Sequence, residues 1–78
     1  MKNPAGIKAF GAHLRRLREQ RGMSQQELAD YANVSKMTVH RIETAQFSAT
    51  LDVLLSLSKA LNVSWQDFMA CPDIDKAD

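Results

Sequence analysis

The chain has 78 residues, a net charge of +1 and 45% apolar residues, which suits one small domain with one core and argues against a strongly basic surface. Its single cysteine excludes an internal disulfide and a cysteine-based metal site. With no signal peptide and no apolar run near roughly 18 residues, we expect a cytoplasmic protein. Neither histidine has a partner at metal-ligand spacing and no glycine-rich phosphate loop occurs, so we expect no metal, no cofactor and no enzymatic activity.

Charge is distributed unevenly along the chain. Residues 1–22 contain six basic residues and one acidic residue, a net of +5, whereas residues 44–78 contain two basic and five acidic residues, a net of −3. Such a dipolar chain can present one end to DNA and the other to solvent or a partner.

The first helix is predicted over about residues 7–21, because apolar residues recur at helical spacing from Phe10 to Leu17. Gly22 is predicted to end it in the left-handed conformation. His13 is predicted to be a surface residue of this helix.

Three further helix starts share one pattern, a serine with an apolar residue just before it and another four positions after it. The serines are Ser24, Ser35 and Ser64. At Ser24 the pattern includes Glu27, which predicts a capping box in which the side chain of each residue accepts the backbone N–H of the other.

A tight turn is predicted before the helix begun by Ser35, with Asn33 in the left-handed conformation. The small side chain of Ala29 would let the two flanking helices approach closely. On a helical wheel Val39 and Ile42 share the side of the second helix that faces the core.

The opposite side of that helix gathers cationic, apolar and hydrogen-bonding side chains, which suit base edges and phosphates. These residues are Lys36, Met37, His40, Arg41 and Thr44. A plain solvated helix face is the alternative, and charge alone favours it.

The rest of the chain is predicted to be scaffold. An apolar helix follows Thr50 and ends at Asn62, and a short last helix covers residues 65–69. Residues 71–78 are predicted to form a flexible acidic tail in which Cys71 has no role. No strand pattern occurs, so the predicted fold class is all-α.

The chain resembles the Cro and phage-repressor type of helix-turn-helix domain, also called the XRE family. The matching residues are Arg18, Met23 to Ala29, Val34, Ser35, Val39, Arg41 to Glu43, and Leu51 through Trp65 to Phe68. The resemblance implies a compact five-helix bundle of the lambda-repressor-like DNA-binding type at residues 7–70, after an N-terminal arm at residues 1–6. It implies a sequence-specific regulator of transcription, a repressor that occupies an operator in double-stranded DNA as a homodimer.

In this family the helix begun by Ser24 crosses the DNA backbone, and the helix begun by Ser35 enters the major groove. The residues that by position face bases are Lys36, Met37, His40 and Arg41. Those that by position lie near phosphates are Gln25, Ser35 and Thr44. The resemblance also implies a partly buried ion pair of Arg18 with Glu43, and the helical wheel places both at the inner edges of their helices. Two solvated surface charges are the alternative.

The family's last helix often builds a two-fold dimer contact. Trp65 and Met69 share one face of that helix and are the candidates, with Trp65 covering the core edge as the alternative.

The chain departs from the family pattern in two places. Asn33 stands where glycine is usual, and residues 44–48 lack the usual glycine and two expected phosphate-binding cations. Phe47 in this run is predicted to be a core anchor rather than an exposed contact. The alternative function is an antitoxin or adaptor whose main ligand is a protein partner such as a toxin, with DNA binding secondary.

Overall fold

A computed structural model describes residues 4–46 and 49–71 of the chain. Within them five helices follow one another: α1 Pro4–Gln20, α2 Gln25–Ala32, α3 Lys36–Glu43, α4 Leu51–Ala60 and α5 Trp65–Met69. No strand occurs in the described ranges, and the predicted all-α bundle is confirmed. None of these helices is both long and apolar enough to span a lipid bilayer.

Two boundaries differ from the prediction. Helix α1 begins at Pro4, so residues 4–6 belong to the helix instead of the predicted arm. Proline suits a first helical turn because the N–H it lacks would have no partner in the helix. At the other end Cys71, predicted within the tail, is buried with 6% exposure. Residues 1–3 and 72–78, and with them half of the predicted arm and most of the predicted tail, lie outside the described residues, as does Phe47.

The helix starts are made by side chains that accept a first-turn backbone N–H. Four capping residues do this: Ser24, Ser35, Thr50 and Ser64. The predicted capping box is present, with 3.0 Å from the Glu27 backbone nitrogen to the Ser24 hydroxyl and 2.9 Å from the Ser24 nitrogen to the Glu27 carboxylate. These bonds satisfy N–H groups that the helices cannot satisfy themselves.

Each of the four connections between helices contains a left-handed residue one or two positions after the preceding helix ends. These residues are Gly22, Asn33, Ala45 and Asn62, with φ between 54° and 69°. In each, two successive N–H groups fold back onto carbonyls of the last helical turn, the Schellman arrangement. The predicted left-handed conformations of Gly22 and Asn33 are confirmed. Ala45 was not predicted, and its Cβ makes this conformation costly.

The core lies where the five helices meet. Helix α1 packs on α3, α2 packs on α3 and α4, and α5 packs on α4. The largest fully buried side chains are Phe68, Leu14, Leu28, Leu57, Leu61 and Val39. Phe68 anchors α5, since the ring of Phe10 meets it edge-on with centroids 5.4 Å apart.

Gly11 sets the distance between α1 and the end of α3. A Cβ added there would lie 2.9 Å from the carbonyl oxygen of Glu43 and closer still to that of Ile42. Real Cβ atoms do not approach backbone oxygens so closely, so α1 can lie at this distance only because residue 11 has no side chain.

The predicted surface position of His13 is wrong. The residue is 8% exposed, and its ring Nε2 donates to the backbone oxygen of Phe68 across 3.1 Å. Helix α5 covers this side of α1, and the placement of α5 depends on contacts between residues 55 positions apart. The hydrogen bond supplies the partner that a buried imidazole requires.

Candidate nucleic-acid interface

Helix α3 lies on the domain surface with one side buried. Val39 is fully buried and Ile42 is 3% exposed, as the helical wheel predicted. The five residues predicted on the outer side are all exposed: Lys36, Met37, His40, Arg41 and Thr44. The Met37 side chain is 54% exposed although it is apolar. An exposed thioether between two cations gives this surface the chemistry to meet base edges as well as phosphates.

Both hydroxyl residues predicted near phosphates already have partners within the protein. The Ser35 hydroxyl accepts the Thr38 backbone N–H at 3.0 Å, and it lies 2.8 Å from the Thr38 hydroxyl. The Thr44 hydroxyl donates to the His40 carbonyl oxygen across 2.7 Å. Ser35 can turn its proton to a phosphate while it caps the helix, whereas Thr44 must first break its bond to His40.

The structure brings Arg18 and Glu43 together across α1 and α3. The Arg18 Nε lies 2.7 Å from one carboxylate oxygen and Nη2 lies 3.1 Å from the other, a bidentate pair. The two side chains are 11% and 2% exposed. The hydrogen bond to Glu43 raises the pKa of the Arg18 guanidinium above its ordinary value.

The same guanidinium also holds the segment that leads into α2. Its Nη1 donates to the backbone oxygen of Met23 across 2.7 Å. One arginine therefore joins α1, the end of α3 and the start of α2, the two helices of the predicted helix-turn-helix.

Gln25, the first residue of α2, has a partner that the sequence did not indicate. Its Nε2 donates to the Glu43 carboxylate across 3.1 Å, and the residue is half-buried. The two residues are 18 positions apart, with no periodic relation that would point to the contact. Only the packing of α2 against α3 brings them together.

The predicted dimer residues differ in exposure. Trp65 is 39% exposed, and its ring stacks on the buried Phe68 with centroids 5.8 Å apart. Met69 is half-buried and packs against the core. Leu51 and Leu55 of α4 are also exposed, at 62% and 42%, although they belong to the apolar stripe that predicted a central helix.

The part of the chain that the structure describes contains no group of three side chains able to hold a metal ion.

Helices α2 and α3 are short, a tight turn joins them, and α3 is exposed along a polar side. This geometry defines a helix-turn-helix protein. Residues 14–68 match the family model described as helix-turn-helix, and the chain belongs to that family, as the resemblance predicted.

Proteins similar to the chain include named regulators. It is 40% identical over 63 residues to the HTH-type transcriptional regulator PrpR of Mycobacterium tuberculosis, covering 81% of this chain and 13% of PrpR. It is 37% identical over 59 residues to the HTH-type transcriptional regulator SutR of Escherichia coli, covering 76% of this chain and 33% of SutR. The chain thus spans a third or less of these relatives.

Among solved structures, the restriction-modification controller protein C.AhdI from Aeromonas hydrophila superposes with a TM-score of 0.78 at 30% identity. The match covers 81% of this chain and 96% of that one. Nearly the whole length of that controller protein is therefore similar to the fold described here.

Proposed function

We propose that this protein is a sequence-specific DNA-binding regulator of transcription that places α3 in the major groove. The orientation of α3 carries the proposal, because its apolar side is buried and its outer side presents Lys36, Met37, His40 and Arg41 to solvent. The transcriptional regulators among its relatives support the same function.

Each outer side chain has a defined role in this proposal. Arg41 makes a bidentate contact to guanine, and Lys36 contacts guanine or a phosphate. Met37 packs on a thymine methyl, and His40 lies beside them. Helix α2 crosses the backbone, where Gln25 at its start binds a phosphate together with Ser35 and Thr44.

The regulator binds as a homodimer and represses by occupying its operator. Trp65 is the candidate centre of the dimer contact because a large ring is exposed on a rigid aromatic stack. Met69, packed against the core, contributes less of its surface. A two-fold dimer would set the two α3 helices about 34 Å apart, one turn of DNA. Sedimentation of wild type and Trp65→Ala, with and without DNA, tests this assembly.

Selection of bound sequences from a random DNA pool tests the function directly. We expect one preferred, two-fold symmetric site, bound more tightly than competitor DNA at every salt concentration. Arg41→Ala is expected to weaken binding to that site by about 1–3 kcal/mol and to relax the preference at one base pair. If Arg41→Ala and Lys36→Ala both retain affinity and base preference, α3 does not read the groove.

A protein-binding role is the second candidate, as an antitoxin or adaptor with DNA binding secondary. The exposed apolar side chains of Tyr31, Leu51 and Leu55 favour it, because they offer apolar contact area on α2 and α4 rather than on α3. The double variant Leu51→Ser/Leu55→Ser separates the two roles. If it still binds DNA but no longer binds the protein partner, the two surfaces are distinct. A short toxin-like reading frame beside the gene would support a toxin as the partner.

A further inference from the structure

We infer that Glu43 is a positioning residue for the DNA backbone contact, holding the Gln25 amide in place for a phosphate at the start of α2. The inference rests on the proposed function. It links two features that the sequence left separate, a structural ion pair and a phosphate-binding glutamine.

The orientation of the Gln25 side chain follows from the chemistry of its partner. A carboxylate can only accept hydrogen bonds, so the amide atom of Gln25 that lies 3.1 Å from Glu43 is the nitrogen. That nitrogen carries two N–H groups in one plane, roughly 120° apart. One donates to Glu43, and the other is directed away from the carboxylate and serves the phosphate.

Arg18 makes this arrangement compatible with a nearby phosphate. An unpaired carboxylate behind Gln25 would repel the DNA backbone, but the bidentate guanidinium at 2.7 and 3.1 Å balances its charge. Glu43 thus receives three hydrogen bonds, two from Arg18 and one from Gln25. The Glu43 side chain is 2% exposed, so water does not compete effectively for these bonds.

The position of Glu43 adds a second consequence. It is the last residue of α3, and Gln25 is the first residue of α2. Their hydrogen bond ties the helix that contacts the backbone to the helix that reads bases. The bond therefore holds the residue that contacts the backbone at a fixed place relative to α3.

The first experiment compares two neighbouring glutamines. Gln26 is exposed on the same helix and donates to Asp30 at 2.8 Å, so Gln26→Ala is a matched control. We expect Gln25→Ala to weaken binding to specific and random duplexes alike by about fivefold, and Gln26→Ala to bind as wild type. Because glutamine is uncharged, the slope of affinity against salt should stay unchanged in Gln25→Ala. Equal binding by the two variants would overturn the inference.

The second experiment separates positioning from simple contact. Arg18→Met/Glu43→Met replaces the buried pair by apolar side chains, which proteins often tolerate, and circular dichroism checks that it folds. In this background Gln25→Ala should change affinity less than about twofold, because the amide has already lost its support. The same fivefold loss in both backgrounds would show that Gln25 acts without Glu43.

A third variant serves if the double variant does not fold. Gln25→Asn keeps the ion pair and the amide, but is one methylene too short to reach both Glu43 and a phosphate. We expect it to bind as weakly as Gln25→Ala, and wild-type affinity would overturn the inference. If wild type itself binds no duplex, the proposed function fails with it. If wild type binds DNA and substitutions at Gln25 do not change its affinity, only the positioning role of Glu43 fails.

Discussion

The two ends of α3 are held in different ways. At its start, Asn33 turns left-handed, Val34 donates to the Ala29 carbonyl at 3.0 Å, and Ser35 caps the helix. All of these contacts lie within ten residues of sequence. At its end, Gly11 and Arg18 of α1 contact the last turn from more than 20 residues away.

The difference shows that two kinds of contact, local at the start and tertiary at the end, together fix the position of the short helix α3. Local hydrogen bonds define where α3 begins, but its direction over the domain depends on its packing against α1 and α2. Substitutions that affect the far end should therefore cost more stability than changes in local conformation.

The largest effect is expected from Arg18→Met, which leaves the Glu43 carboxylate buried without its partner. We expect a loss of about 3 kcal/mol in the free energy of unfolding, measured by urea denaturation. Arg15→Met is the matched control on the same helix, because Arg15 pairs with Glu19 at 3.4 Å with both side chains more than half exposed. That change should cost under about 1 kcal/mol. Similar losses in the two variants would mean that the buried pair does not hold α3.

Gly11→Ala should destabilise the domain by about 2 kcal/mol, because its methyl group would collide with the carbonyls of Ile42 and Glu43. The sign of the change in stability decides the matter, since alanine otherwise stabilises a helix interior by about 1 kcal/mol relative to glycine. A raised melting temperature would contradict the close approach of α1 to α3. A lowered one with weaker DNA binding would show that this distance also positions α3.

Ala45→Gly should stabilise the domain by about 1 kcal/mol, because glycine adopts the φ of 60° without a Cβ penalty. Gly22→Ala is the reverse experiment, at a φ of 69° with nothing near the added Cβ. It should destabilise by about 1 kcal/mol for the same reason. Thermal denaturation of both variants measures the conformational cost. If the melting temperature changes in the same direction in both, the left-handed conformation is not the cause.

The smallest effect concerns the start of α2. Hydrogen bonds from the Ser24 backbone N–H and hydroxyl lower the pKa of Glu27 below its ordinary value of 4.5. A group whose pKa is lower in the folded state stabilises that state above its unfolded pKa, and the stabilisation is lost as the pH falls through the folded value. Wild type should therefore lose stability below about pH 4.5 more steeply than Glu27→Gln, which can keep the capping box without titrating at that site. Parallel pH profiles would show that these hydrogen bonds contribute nothing.

The sequence by itself determined the local features of this protein. Ser24, Ser35 and Ser64 begin helices because a serine hydroxyl can satisfy an N–H only a few residues away, and such contacts need no tertiary structure. The outer side of α3 was equally readable, because helical periodicity separates Val39 and Ile42 from the exposed residues.

Only the tertiary structure decided the rest. His13 is buried because α5 closes over it, Gln25 meets Glu43 because α2 packs on α3, and Gly11 matters because two backbones meet there. Residue type and spacing do not encode such encounters, since each depends on how whole helices are placed. The Arg18–Glu43 pair was expected from family resemblance and from the inner position of both residues on their helices, and the packing of α1 on α3 is the physical reason that it forms.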